Sequence, residues 1–313
     1  MYNIGVDLGG TNIAVGLVDE NYKIKVKRSL PTGAHRSSEE IVNDIATLCF
    51  DVCRDASIEI SEVSSIGIAS PGIANHDAGI VEYSCNLPFR KFPIADELRK
   101  RTGVKKINTE NDANAAALGE AVAGAAKGTK ISIMITLGTG VGGGIIIDGK
   151  VYSGFNFAGA ELGHIVIEKD GAPCNCGRRG CWESYSSATA LIRMTNEKIA
   201  ECRASGRYTS MLEVEKVSGR TACDAMRAGD EAAKEVYDKY ISYLATGLTN
   251  IINIFQPEVI SLGGGVSGEG QSLIDSLLPI VRAEQYGGDV VELTQIRIAE
   301  LGNDAGIIGA ASM

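Results

Sequence analysis

The chain begins with an apolar run at residues 2–8 (YNIGVDL), which predicts a buried strand. Gly9-Gly10 supplies a turn, and residues 11–18 continue as a second strand. Asp19-Glu20-Asn21 then turns the chain into a third strand near 22–30. Ser37 and Glu40 have the spacing of a capping box, and Ile41, Ile45, Leu48, Cys49 and Val52 follow at helical intervals. A strand at 63–69 ends at the Ser70-Pro71-Gly72 turn, followed by a helix near 93–102 and a short strand near 104–109. An Ala-rich helix starts at Asn111 or Asp112. Near residue 131 the pattern restarts: ISIMITLGTGVGGGIIIDGK repeats the strand, glycine turn, strand and polar turn of YNIGVDLGGTNIAVGLVDEN. At one constant offset Leu8 falls on Leu137, Gly9 on Gly138 and Asp19 on Asp148, the mark of an internal duplication. Helices are predicted at about 184–203, 230–254 and 270–286, and a strand near 258–262 leads into Gly263-Gly264-Gly265. Glycines 302, 306 and 309 mark a close-packed final helix. Strands alternating with helices imply an α/β fold, and two related halves facing each other would leave a cleft for a ligand.

A length of 313 residues suits two domains, and 44% hydrophobic residues can fill their cores. The boundaries expected are 1–115 for an N-terminal domain, completed by a helix at 300–313, and 116–299 for a larger second domain. A net charge of −9 argues against nucleic-acid partners and anionic membrane. No apolar run approaches the ~18 residues of a spanning helix, and the first residues carry no signal-peptide pattern. Of the eight cysteines, Cys49 and Cys53 sit on a helix's apolar face, and Cys85, Cys202 and Cys223 are scattered. The other three have metal-ligand spacing, so a reducing cytoplasm is the expected location.

Three stretches could carry chemistry. The first pairs the glycine turns. Asp7-Leu8-Gly9-Gly10-Thr11-Asn12 joins two strands, as does Leu137-Gly138-Thr139-Gly140. Taken singly, each is either an ordinary hairpin or a cradle of backbone N–H groups for phosphate oxygens. Two of them, one per half, favour a nucleotide. Thr11 can add a hydroxyl donor, and Asp7 can hold Mg2+ through water. No GxxxxGK[ST] is present, and the glycines from 138 to 143 precede a strand instead of the helix a dinucleotide fingerprint needs. The second is Asn111-Asp112, either a helix cap or a carboxylate placed at a helix start for proton transfer. The third is Glu161 to Glu183, ELGHIVIEKDGAPCNCGRRGCWE. His164, Cys174, Cys176 and Cys181 match the ligand set of a closed, structural tetrahedral Zn2+ site. Glu161 and Glu183 bracket it and can only accept hydrogen bonds, which suits a ligand rich in hydroxyls.

Glu-x-Gly-His followed by Cys-x-Cys-Gly-x-x-Gly-Cys-x-Glu resembles the signature of the ROK family of sugar kinases and sugar-responsive repressors. Glu110-Asn111-Asp112 with Asn114-Ala115 matches its E-N-D-x-N-A pattern. The resemblance covers nearly the whole chain. It implies the duplicated actin-like ATPase (ribonuclease H-like) fold, with two domains around a central cleft. It implies ATP-dependent phosphorylation of a hexose at the 6-hydroxyl, of the glucokinase type, with mannose or an N-acetylhexosamine as rival substrates. By resemblance Asp112 is the catalytic base, kept ionised by the helix dipole. Gly72, Asn111, Glu161, His164 and Glu183 line the sugar, with His164 also a zinc ligand. Asp7, Gly9, Gly10, Thr11, Asn12, Gly138, Thr139 and Gly140 face the phosphates, and Gly264 and Gly265 face adenosine. A homodimer is expected from the family. The family's repressors carry a winged helix-turn-helix ahead of the first glycine turn, for which a first strand at Tyr2 leaves no room. A sugar-binding module without catalysis would lack the base or the turns, and both are present.

Overall fold

The computed structural model describes residues 1–288 and 290–313. Its first sheet is built from β1 (Tyr2–Leu8), β2 (Asn12–Asp19), β3 (Ile24–Pro31), β4 (Val63–Ser70) and, after four elements named below, β8 (Ile107–Asn111). The order is β3-β2-β1-β4-β8, antiparallel across β3-β2-β1 and parallel across β1-β4-β8. Ile4, Val6 and Leu8 of β1 are fully buried, as an inner strand covered on both faces requires. The edge strand β3 instead exposes Lys25, Lys27 and Arg28, which discourages pairing with another chain.

Helix α1 (Ser38–Asp55) follows β3 and covers this sheet with Ile41, Ile45, Leu48, Cys49 and Val52, all at most 4% exposed. Both bonds of the predicted capping box form: Ser37 Oγ accepts from Glu40 N, and Glu40 Oε2 accepts from Ser37 N. After β4, a small sheet of β5 (Ile73–Asn75), β6 (Ile80–Tyr83) and β7 (Arg90–Phe92) appears that the sequence pattern does not predict, its strands being three or four residues long. Helix α2 (Ile94–Thr102), β8 and the Ala-rich α3 (Asp112–Ala123) follow as expected.

The second sheet repeats the first. β9 (Ile131–Leu137), β10 (Val141–Ile147) and β11 (Lys150–Val151) come in sequence, with Asp148-Gly149 at positive φ in the tight turn between β10 and β11. The helix predicted at 184–203 is two, α4 (Glu183–Ser186) and α5 (Ala188–Ser205), because Ser187 leaves helical geometry and its side chain caps α5 through Ala190 N. Then come α6 (Thr221–Arg227), absent from the sequence reading, α7 (Glu231–Phe255), β12 (Val259–Gly263), α8 (Gln271–Glu284), β13 (Gln295–Ile298) and α9 (Ala305–Ser312). The strand order β11-β10-β9-β12-β13 matches the first sheet position by position, as the internal repeat implies.

By contact the chain groups into two compact units, one of residues 1–134, 144–160 and 299–313, the other of 135–143 and 161–298. The sequence places the break after 115, whereas all of α3 packs with the first unit. The reason is α9, which joins that unit. It lies so close to the first sheet that a Cβ on Gly5 or Gly67 would collide with its carbonyls at Ile307 and Ala310. On its other side Gly309 meets the Ala115 carbonyl of α3. Gly302, expected in the final helix, lies just ahead of it in a short 3-10 turn.

Candidate active site and metal knot

In the first unit, Asp7 is the penultimate residue of β1, and the turn Gly9–Asn12 follows Leu8. Gly9 N donates to Asn12 O at 2.9 Å, and Thr32 holds the turn from behind, its Oγ1 donating to Gly9 O at 2.7 Å and its N to Thr11 O at 2.8 Å. Gly10, Thr11 and Asn12 face solvent. The turn is thus fixed on one side and open on the other, as a phosphate cradle must be.

Asn111 is the N-cap of α3, its Oδ1 accepting from Ala113 N at 2.9 Å and Asn114 N at 3.2 Å. Its Nδ2 donates to Gly72 O at 3.0 Å, which leaves one amide hydrogen for a ligand. Gly72 itself has φ +95°, and a Cβ there would strike the Tyr83 carbonyl, so glycine is required by packing alone.

Asp112 opens the helix, and its Oδ1 accepts from Ala113 N. The helix start, expected to favour the ionised form, is opposed by desolvation. Burial pushes its carboxyl above the usual range, and the N–H bonds offset that only in part. Asp7 is raised to about 6, first by burial and then by the charge of Asp112. The two carboxylates therefore feel each other, and Gly306 of α9 packs against Asp7: a Cβ there would lie 2.9 Å from Asp7 Cγ. Two desolvated, mutually repelling oxygen donors beside a phosphate-type turn fit a hard divalent cation such as Mg2+, which would offset both charges.

In the second unit, the turn between β9 and β10 has the same construction. Gly138 N donates to Gly140 O at 3.0 Å, while Ala188 N and Thr189 Oγ1 donate to Gly138 O and Thr139 O. Glu183 Oε2 accepts from Val141 N at 2.9 Å, and Gly140 is glycine because a Cβ would meet that oxygen. Glu183 thus pins the turn with one oxygen, while its Oε1 lies 3.7 Å from Cys174 Sγ. Glu161 is exposed and precedes the short turn Leu162–His164. Gly264, at φ +84°, approaches the Leu137 backbone too closely for a side chain, whereas Gly265 is open. A cavity of about 170 Å³ joins Thr139, Cys174, Glu183 and Ser187 with Arg193, a cation that no motif in the sequence singles out.

The predicted zinc ligands converge. The ligand atoms of His164, Cys174, Cys176 and Cys181 all lie within 4.8 Å of one another. His164 Nδ1 is 3.6 Å from Cys174 Sγ, and Cys176 Sγ is 3.6 Å from Cys181 Sγ. A tetrahedral zinc with bonds of about 2.0–2.3 Å puts its ligands roughly 3.3–3.8 Å apart, so the donor set fits. The loop is closed by Cys174 N to Arg178 O at 2.9 Å, Gly180 N to Ala172 O at 2.7 Å and Trp182 N to Ile165 O at 2.8 Å. Burial and the neighbouring thiols push Cys181 up to about 12, a strain that a bound cation would reverse. Trp182 is fully buried, with Nε1 donating to Tyr243 O of α7 at 3.0 Å. Nδ1 of His164 faces the thiols, which leaves Nε2 as the outward nitrogen.

Two further residues were missed as individuals. Glu110 is 3% exposed, and its Oε1 accepts from Asn111 N and Asn114 Nδ2. Its available signal was a carboxylate in the strand that leads directly into the Asp112 helix. His76, in the β5–β6 turn, gave none.

The ROK family profile matches residues 3–313. The glucokinase of Thermotoga maritima is 40% identical over 311 residues, covering 99% of this chain and 96% of that protein. The glucokinase of Halalkalibacterium halodurans is 37% identical over 310 residues, covering 98% and 92%. The crystal structure of a ROK family glucokinase from Streptomyces griseus in complex with glucose and AMPPNP superposes with a TM-score of 0.79 at 34% identity, covering 100% of this chain and 98% of that one. Sheet order, glycine turns, metal knot and end-to-end similarity agree, and the chain belongs to the ROK family.

Proposed function

We propose that this chain transfers the γ-phosphoryl group of ATP to the 6-hydroxyl of glucose, giving glucose 6-phosphate and ADP. The observation that carries the reading is the pair of half-buried, desolvated carboxylates, Asp112 at the start of α3 and Asp7 near the end of β1, beside an open glycine turn. End-to-end similarity to named glucokinases supports the substrate.

Phosphoryl transfer needs positioning and charge compensation more than covalent chemistry. Asp112 accepts the proton of the 6-hydroxyl as that oxygen attacks the γ-phosphorus and ADP departs. Desolvation raises its pKa, which makes it a better base than an exposed carboxylate. Gly9, Gly10, Thr11 and Asn12, with Gly138, Thr139 and Gly140, offer N–H and hydroxyl donors to the phosphates. Asp7 is the residue for Mg2+, which when bound offsets phosphate charge. Gly264 and Gly265 leave room for adenosine. Glu161 and Glu183 accept from glucose hydroxyls, His164 Nε2 borders the sugar, Asn111 gives its remaining amide hydrogen, and Gly72 lies alongside. Zn2+ held by His164, Cys174, Cys176 and Cys181 fixes the loop that carries these groups.

No helix among the described residues is long and apolar enough to cross a membrane. The eight cysteines are free thiols, which suits a reducing, cytoplasmic location. The net charge of −9 supports a protein without nucleic-acid partners, and family resemblance supports a homodimer. The test is product identification. Phosphorus NMR of ATP, Mg2+, glucose and the purified protein should show ADP and glucose 6-phosphate growing together. ADP with free phosphate alone would contradict the reading.

A further inference from the structure

His76 sits in the turn between β5 and β6 and touches two elements. Its Nδ1 lies 3.1 Å from Glu110 Oε2, and its ring meets Phe157 edge-on, with centroids 4.8 Å apart at 81°. A carboxylate only accepts, so Nδ1 carries the proton. On the far side Nε2 is 3.6 Å from Asp77 Oδ1, whose side chain is in water and holds the ring weakly. Glu110 is the residue that fixes the start of α3: its other oxygen accepts from Asn111 N at 2.8 Å and Asn114 Nδ2 at 3.0 Å. Asn111 in turn caps the helix that Asp112 opens.

Phe157 belongs to the loop 152–160, and Glu161 is the next residue along the chain. The loop is tied across its base by Gly159 N donating to Ser153 O at 2.8 Å. Its two phenyl rings behave differently. Phe155 is 97% exposed, whereas Phe157 rests on His76 and adopts φ +64°, a conformation a bulky residue keeps only when its surroundings impose it.

We propose that His76 is a positioning residue that latches the 152–160 loop, through Phe157, to the Glu110 carboxylate at the start of the catalytic-base helix. The latch serves two ends. Its imidazole N–H holds Glu110, and so the cap beneath Asp112. Its ring holds the loop that delivers Glu161, and so the sugar. This consequence rests on the kinase reading above, whereas the latch itself rests only on the contacts.

The test separates the two. Limited chymotrypsin digestion of the intact protein reads the loop without substrate, through cleavage after Phe155. His76→Ala and Phe157→Ala should each speed that cleavage about threefold to tenfold, the range for an edge-on aromatic pair. His76→Gln keeps an N–H for Glu110 but no ring, and should be cut as fast as His76→Ala. The double variant should be cut no faster than the faster single one, because both remove the same contact. In steady state, Phe157→Ala should raise glucose KM by a similar factor with kcat and ATP KM unchanged. His76→Ala should also lower kcat, and His76→Gln should restore kcat but not KM. A role confined to stability would lower Tm in all variants without that KM–kcat split, and would overturn the proposal. So would unchanged cleavage in both His76→Ala and Phe157→Ala. Wild-type protein that leaves glucose unphosphorylated would contradict the assigned reaction instead, while faster cleavage in the variants would still establish the latch.

Discussion

The two five-stranded sheets share an order, a glycine turn between their first two strands and a helix after their last. Their chemistry differs at equivalent points. Where β1 carries half-buried Asp7 next to its last residue, the matching position of β9 is Thr136. The helix after β8 opens with Asp112, half-buried, its pKa raised by desolvation. The helix after β13 is preceded by Asp304, whose carboxylate pairs with Lys27 in the open. The second copy instead carries the metal knot between β11 and β12. The comparison teaches that the repeated scaffold supplies turns and helix starts twice. The chemistry proposed above belongs to the copy whose carboxyls are desolvated.

The largest test of that contrast is the matched pair Asp112→Asn and Asp304→Asn. Asp112→Asn keeps shape and removes the proton acceptor, so kcat should fall by ~10²–10⁴-fold with a smaller change in glucose affinity. Asp304→Asn loses a surface ion pair and should stay within about threefold of wild type in kcat and KM. Comparable losses in both, by steady-state kinetics, would erase the distinction between the two copies.

Next in size is Cys176→Ser. The intact protein should hold about one zinc per chain by elemental analysis, and the variant much less. With the loop loosened, glucose KM should rise roughly 10- to 100-fold. A zinc-free protein with ordinary glucose affinity would show that the knot needs no metal.

The smallest effect concerns Asp7. Its folded pKa, raised from 3.8 to about 6, means that it stabilises the fold fully below the unfolded value, and that this contribution is lost as pH rises through about 6. Asp7→Asn should therefore raise Tm at pH 8 in metal-free buffer, by about 5 °C, and change it little at pH 4. Mg2+ should raise the wild-type Tm at pH 8 and leave the variant unmoved. A variant less stable than wild type at pH 8 would contradict the burial argument.

Much of this molecule was legible in its sequence, for identifiable reasons. Local signals survived intact: the Ser37–Glu40 capping box, the α1 periodicity and both glycine turns depend on neighbours in the chain. The metal knot was legible because its four donors fall within one short stretch. The strands of the small β5–β7 sheet are too short to show a period, and Ser187 breaks a helix with a side-chain bond that a periodic pattern does not register. The electrostatics of Asp112 were only partly legible, for a different reason. A helix start is visible in sequence, but the desolvation that opposes it is a property of the folded chain. His76 and Glu110 meet across 34 positions, and nothing local announces that pairing.

The central claim, that the chain is an ATP-dependent glucokinase, is tested most directly by steady-state kcat/KM measured with ATP and Mg2+. The acceptors should be glucose, 2-deoxyglucose, mannose, fructose, N-acetylglucosamine and N-acetylmannosamine. Glucose should lead. 2-Deoxyglucose should trail it by roughly 10- to 100-fold, because a carboxylate loses its hydroxyl partner. Glucose trailing any other sugar in the panel by about tenfold would contradict the assignment.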